Sequence, residues 1–162
     1  MSEPHRRRSR SCHHEHRTDG TGPRLRVLLI EDNSNDVQII ERALKEHPER
    51  PDVFHVWDGE SALDFLYQRG ESEDAPRPDI IISCLVLPKL RGYEILAKIK
   101  ADPKLQRIPF VVLTNSEREE DIHRAYADGA AGFLTKPVDE EAFEAVVHLI
   151  YDYWSTAKTP FE

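Results

Sequence analysis

Cysteine is nearly absent. The 162 residues hold two, Cys12 and Cys84, far apart and in unlike surroundings, so no disulfide framework is indicated and a reducing cytoplasm is the expected compartment. No apolar run is long enough to span a bilayer, and the arginine-rich start lacks the apolar stretch of a secretory signal. Glycine is missing where a phosphate cradle would need it. The first strand-to-helix turn reads EDNSND, and its carboxylates repel a phosphate unless a cation intervenes. No catalytic triad, metal-protease motif or nucleotide loop occurs, so an independent enzyme is not expected.

Positive charge is also in deficit, 22 Lys and Arg against 30 Asp and Glu for a net −8. Residues 1–23 carry five Arg against Glu3, Glu15 and Asp19, a balance of +2, which leaves −10 for the remainder. Such an acidic body is repelled by phosphate backbones and is a poor nucleic-acid binder. The first 23 residues hold almost no aliphatic side chains and cannot bury enough apolar surface to offset chain entropy, so they read as a disordered basic, His-rich tail. Cys12, His13, His14 and His16 have ligand chemistry suited to zinc or nickel, but their spacing matches no closed structural site, and a solvated tail is the preferred reading. One domain is expected over 24–154, with 155–162 as a C-terminal extension.

Within that domain, strands and helices alternate. LRVLLI (25–30) is a short continuous apolar run of the kind a central parallel strand requires. It leads into the helix VQIIERALKEH, which Asn35 or Asp36 can cap. DVFHVW is a second strand, and ESALDFLYQRG a helix ended by Gly70. DIIISC, IPFVVLT and AGFLTK supply three more strands, followed by the helices YEILAKIKA, EREEDIHRAYADG and DEEAFEAVVHLIYDYW. Five such pairs predict a doubly wound five-stranded parallel sheet with helices on both faces. Ligands then collect beyond the carboxyl ends of the strands, where strand order reverses.

The residues at those ends are Glu31 and Asp32, Cys84, Thr114, and Lys136 with Pro137. Adjacent carboxylates suggest a hard divalent cation, with Asp32 as direct ligand and Glu31 acting directly or through water. Alone, the pair reads equally as an acidic helix start, Thr114 as a cap and Lys136 as a surface charge. Together they resemble the donors that stabilise a transferring phosphoryl group beside magnesium.

With these residues in this order, the sequence resembles the receiver domain of two-component response regulators over nearly all of 24–154. The motifs are IEDN with Glu31 and Asp32, LPKLRG with Pro88 and Gly92, LTNS with Thr114, and GFLTKP with Phe133 and Lys136. NSNDVQIIERAL, LPKLRGYEIL, VVLTNSEREEDI and YDYWSTAKTP further resemble the single-domain regulators that serve phytochrome histidine kinases. The resemblance implies a flavodoxin-like strand order 2-1-3-4-5. It also implies Thr114 and Phe133 as switch residues, Lys136 as the phosphate-contacting lysine, and a magnesium site at Glu31 and Asp32. A histidine kinase, of phytochrome type, is the implied partner, with no attached DNA-binding domain. A homodimer through helix four, strand five and helix five is implied too, for which Tyr151, Tyr153 and Trp154 are candidate interface residues.

Aligned with the family pattern, LPKLRG places the phosphoacceptor aspartate at Cys84. A thiol is a poor magnesium ligand because sulfur is soft and magnesium hard, so Mg2+ binding is expected to be weakened. Glu31, Asp32 and burial all disfavour a thiolate, with only Lys136 opposing, so a neutral thiol is expected. With one negative charge deleted, Lys136 is expected to pair with Asp32, and Arg91 adds a cation near the rim. The reading is a stand-alone regulator that binds its kinase without phosphorylation. An active phosphorelay receiver with an unorthodox acceptor and a redox sensor through Cys84 are the alternatives.

Overall fold

A computed structural model of the chain describes residues 24–157. The readings of residues 1–23 as a tail, and of Cys12, His13, His14 and His16 within it, lie outside the described residues, as does most of the expected C-terminal extension.

Five strands, β1 (Arg26–Ile30), β2 (Asp52–Val56), β3 (Ile80–Ser83), β4 (Phe110–Thr114) and β5 (Gly132–Thr135), form one parallel sheet in the order β2-β1-β3-β4-β5. Between and after them lie α1 (Ser34–Lys45), α2 (Gly59–Tyr67), α3 (Gly92–Ala101), α4 (Glu119–Ala127) and α5 (Glu140–Thr156). This is the doubly wound topology that the alternation predicted.

The period of two along each strand sends successive side chains to opposite faces. Val27 and Leu29 of β1 pack with Val37, Ile40 and Leu44 of α1 and with Phe143, Val147 and Ile150 of α5. Leu28 and Ile30 face the other way, onto Ala62 and Phe65 of α2, Ile95 and Ile99 of α3 and Ala125 of α4. Burying both faces requires continuous apolar strands, and the buried run Val27–Ile30 meets that need.

Element ends differ from the sequence reading at three places. Asn33, not Asn35 or Asp36, caps α1, its side chain accepting from the Asp36 N–H at 3.1 Å. This lets the helix begin at Ser34 and brings Asp36 into its first turn. α2 ends at Gln68, which adopts the left-handed conformation (φ 54°), two residues before Gly70. Its amide group donates to the Ala75 carbonyl at 2.6 Å, a side-chain tie that glycine could not supply. α5 runs to Thr156, past Trp154. Among the described residues no helix is long and apolar enough to cross a membrane.

Candidate functional site

Strand order reverses between β1 and β3, and the carboxyl ends of those two strands meet there. Glu31 follows β1 directly and is buried, whereas Asp32 is exposed. Glu31 is fixed at both oxygens, Oε1 accepting from the Asn33 N–H at 3.1 Å and Oε2 from Lys136 Nζ at 2.7 Å.

Lys136 enters just past β5, where its backbone N–H bonds the Thr114 carbonyl at 2.7 Å. Its buried ammonium donates also to Asp36 Oδ2 at 2.9 Å. The expected Lys136–Asp32 pair is therefore corrected to a Lys136–Glu31–Asp36 cluster. Asn33 caps α1, which puts Asp36 in the first turn within reach of Lys136, while Asp32 is exposed with its Oδ1 beside the Cys84 thiol. Asp36 was visible in EDNSND but read only as a capping candidate. Burial is the strongest influence on both partners. It raises the Glu31 pKa despite the nearby ammonium. On Lys136 burial works against charge, but the hydrogen bonds to Glu31 and Asp36 outweigh it and the pKa rises.

Cys84 follows β3 and is only 5% exposed. Its backbone N–H continues the ladder to the Ile30 carbonyl at 3.1 Å. The thiol lies 3.3 Å from the Val86 carbonyl and 3.9 Å from Asp32 Oδ1. Burial first, then the Glu31 charge, push its pKa up to about 12, with Lys136 opposing. The thiol is neutral at physiological pH, as the charge count anticipated. Ser83 is fully buried, and its hydroxyl donates to the Cys84 carbonyl at 2.8 Å.

The LPKLRG loop closes over this strand tip. A Cβ on Gly92 would stand 2.5 Å from the Cys84 carbonyl oxygen and 3.0 Å from Leu85 Cα, so only glycine permits that approach. Arg91 precedes α3 in an extended conformation and lies exposed at the rim.

Thr114 ends β4, buried, and its Oγ1 accepts from the Ser116 N–H at 3.3 Å. Phe133 is half-buried against the α2–α3–α4 side of the sheet, and its N–H donates to the Tyr126 hydroxyl at 3.1 Å. A network not anticipated from sequence joins this loop to two helices. Asp121 of α4 accepts from the Ser116 hydroxyl and, at 3.0 Å, from the Tyr93 hydroxyl of α3, while the Arg124 guanidinium lies 4.1 Å above the Tyr93 ring.

Ligand atoms of Glu31, Asp32 and Cys84 all lie within 4.8 Å of one another, so the three can converge on one cation. Their chemistry suits magnesium badly. A hard ion wants several charged or carbonyl oxygens, whereas here one donor is a neutral thiol and Glu31 is already bonded to an ammonium.

The candidate interface residues divide. Tyr151 packs inward, its ring stacked 3.8 Å from His47 and its hydroxyl bonded to Glu49 at 3.2 Å, so within this fold it serves α1–α5 packing. Trp154 is half-buried against the same core, whereas Tyr153 is 63% exposed.

A parallel 2-1-3-4-5 sheet with acidic groups, a buried hydroxyl and a buried lysine at adjoining strand ends is the framework of a signalling receiver. The chain belongs to the response regulator receiver domain family, whose model matches residues 27–148. It is 37% identical to the response regulator Rcp1 of Synechocystis over 85% of this chain and 93% of that protein. Among solved structures, the phosphorylated cyanobacterial phytochrome response regulator RcpA superposes with a TM-score of 0.82 at 40% identity, covering 85% of this chain and 99% of that one. The Mn2+-bound form of Rcp1 gives 0.81 at 37% identity over the same shares.

Proposed function

We propose that this receiver acts in two-component signalling by docking to a histidine kinase of phytochrome type, and that it does so without being phosphorylated. The observation that carries the proposal is Cys84. A buried, protonated thiol stands where the family resemblance puts the phosphoacceptor. It offers neither the carboxylate nucleophile nor the hard oxygen that magnesium-assisted phosphoryl transfer requires, and Mg2+ binding is correspondingly weakened. The same burial and high pKa count against an active phosphorelay through sulfur and against a thiolate redox sensor.

The partner class rests on the similarity to RcpA and Rcp1, the former a phytochrome response regulator. The protein acts by recognition rather than catalysis, in the cytoplasm. A homodimer through α4, β5 and α5 is part of this reading, supported by exposed Tyr126 on α4 and exposed Leu149 and Tyr153 on α5. Capture of the chain by immobilised phytochrome-type kinases, with and without a phosphate donor, tests the proposal. Equal capture in both conditions is expected. Capture only with donor, or stoichiometric magnesium-dependent phosphoryl uptake, refutes it.

A further inference from the structure

Along its length α5 is fastened to α1 and the turn after it at two levels. Its first turns are held by Arg42, whose guanidinium binds Glu140 and, at 2.8 Å, Glu144. Its second half is held by His47, whose Nε2 lies 2.8 Å from His148 Nδ1 and whose ring stacks on Tyr151 at 3.8 Å. The proposed function makes no use of this second level. We infer that the His47–His148 contact is a proton-operated clasp, which opens when both imidazoles are charged and loosens the second half of α5 while the Arg42 level stays closed.

Two ring nitrogens facing each other at hydrogen-bond distance share one proton. Glu46 Oε2 lies 3.2 Å from His148 Nε2 and favours a proton there, which leaves His148 Nδ1 to accept from His47 Nε2. A first added proton can go to His47 Nδ1 without disturbing that bond. A second must go to His148 Nδ1, where it meets the His47 N–H and sets two like charges in contact, so the bond is lost. The upper level contains no imidazole and has no such step.

The acids around the pair are Glu46 and Glu49 from the turn after α1 and Asp152 from α5. Glu49 is engaged by the Tyr151 hydroxyl at 3.2 Å, and Glu144, one turn before His148, by Arg42. These carboxylates favour charge on the pair, but burial and the repulsion from His148 outweigh them at His47. The folded protein therefore resists the second proton where the unfolded chain does not. The clasp is closed above pH 6.5 and weakens as the pH falls below it. Opening separates the Tyr151 ring from His47 and loosens the last turns of α5, on which Leu149 and Tyr153 are exposed. Acid then also weakens the homodimer of the proposed function, and this consequence alone rests on that reading.

Amide hydrogen exchange of the full chain at pH 7.5 and 5.5, expressed as protection relative to the intrinsic rate at each pH, tests the clasp. Protection of residues 147–156 is expected to fall about tenfold at pH 5.5 while that of 140–146 holds. In His47→Gln and in His148→Gln, which keep a polar side chain but remove the titration, the fall is expected to shrink to about twofold or less. Histidine NMR supplies a readout that needs no variant. In the unaltered chain the pair is expected to titrate in two steps more than about one pH unit apart. Unchanged protection of 147–156, an equal loss along all of α5, the same loss in both variants, or a single common titration step overturns the inference. Sedimentation separates it from the dimer reading, because a chain that is monomeric at pH 7.5 refutes the dimer and leaves the exchange result to decide the clasp.

Discussion

Lys136 Nζ sits 2.7 Å from Glu31 Oε2, in a bond that ties the end of β5 to the end of β1 inside the protein. The same ammonium reaches Asp36 at 2.9 Å and so holds the first turn of α1 as well. Breaking a buried pair from one side leaves the other charge without a partner, which is more costly than the pair is worth. Lys136→Ala is expected to destabilise the fold by about 3 kcal/mol, measured by urea denaturation. Asp36→Ala, which leaves the Glu31 bond in place, is expected to have a distinctly smaller effect.

Cys84→Asp restores an oxygen donor and a carboxylate nucleophile between Asp32 and Lys136. This variant is expected to gain magnesium affinity and to label with acetyl phosphate, relative to the parent chain. Calorimetry and intact-mass measurement read the two gains. A variant that gains nothing shows that Cys84 alone does not disable the site.

A thiol with a pKa near 12 and 5% exposure reacts slowly. In the folded protein, Cys84 is expected to stay unmodified under mild peroxide or iodoacetamide at neutral pH, and to be alkylated fully in denaturant. Peptide mass spectrometry separates it from Cys12. Rapid native oxidation of Cys84 contradicts the burial found here.

His47 packs against α5, its Nε2 2.8 Å from His148 Nδ1 and its ring on Tyr151. Burial, then repulsion from His148, lower its pKa below 6.5, while Asp152, Glu46 and Glu49 partly offset this. The unfolded chain therefore binds the proton more readily, and the contribution of His47 to stability, present above pH 6.5, is lost as the pH falls below that value. Glu31, with its pKa raised from 4.5, acts with the opposite sign at lower pH. Urea midpoints between pH 7.5 and 5.5 are expected to fall less in His47→Gln than in the parent protein.

Gly92→Ala is expected to destabilise by about 1–3 kcal/mol, because the added methyl meets backbone at Cys84 and Leu85 rather than a movable side chain. The loss appears in thermal unfolding.

The sequence by itself determined the sheet and the roster of the site. Short continuous apolar runs such as Val27–Ile30, alternating with amphipathic helices, point to central parallel strands, and the strand ends that follow carry Glu31, Asp32, Cys84, Thr114 and Lys136 whatever the loop details. The neutral thiol was legible too, because burial and two neighbouring acids act in the same direction on it. Tertiary structure alone decided which acid Lys136 takes. That choice goes with Asn33 taking the cap, which puts Asp36 in the first turn of α1 beside Lys136 and leaves Asp32 exposed beside Cys84, and single-residue competition of this kind is not encoded in periodicity. The inward turn of Tyr151 was decided the same way, by His47 and Glu49 more than 100 residues earlier, while helical spacing left both orientations open.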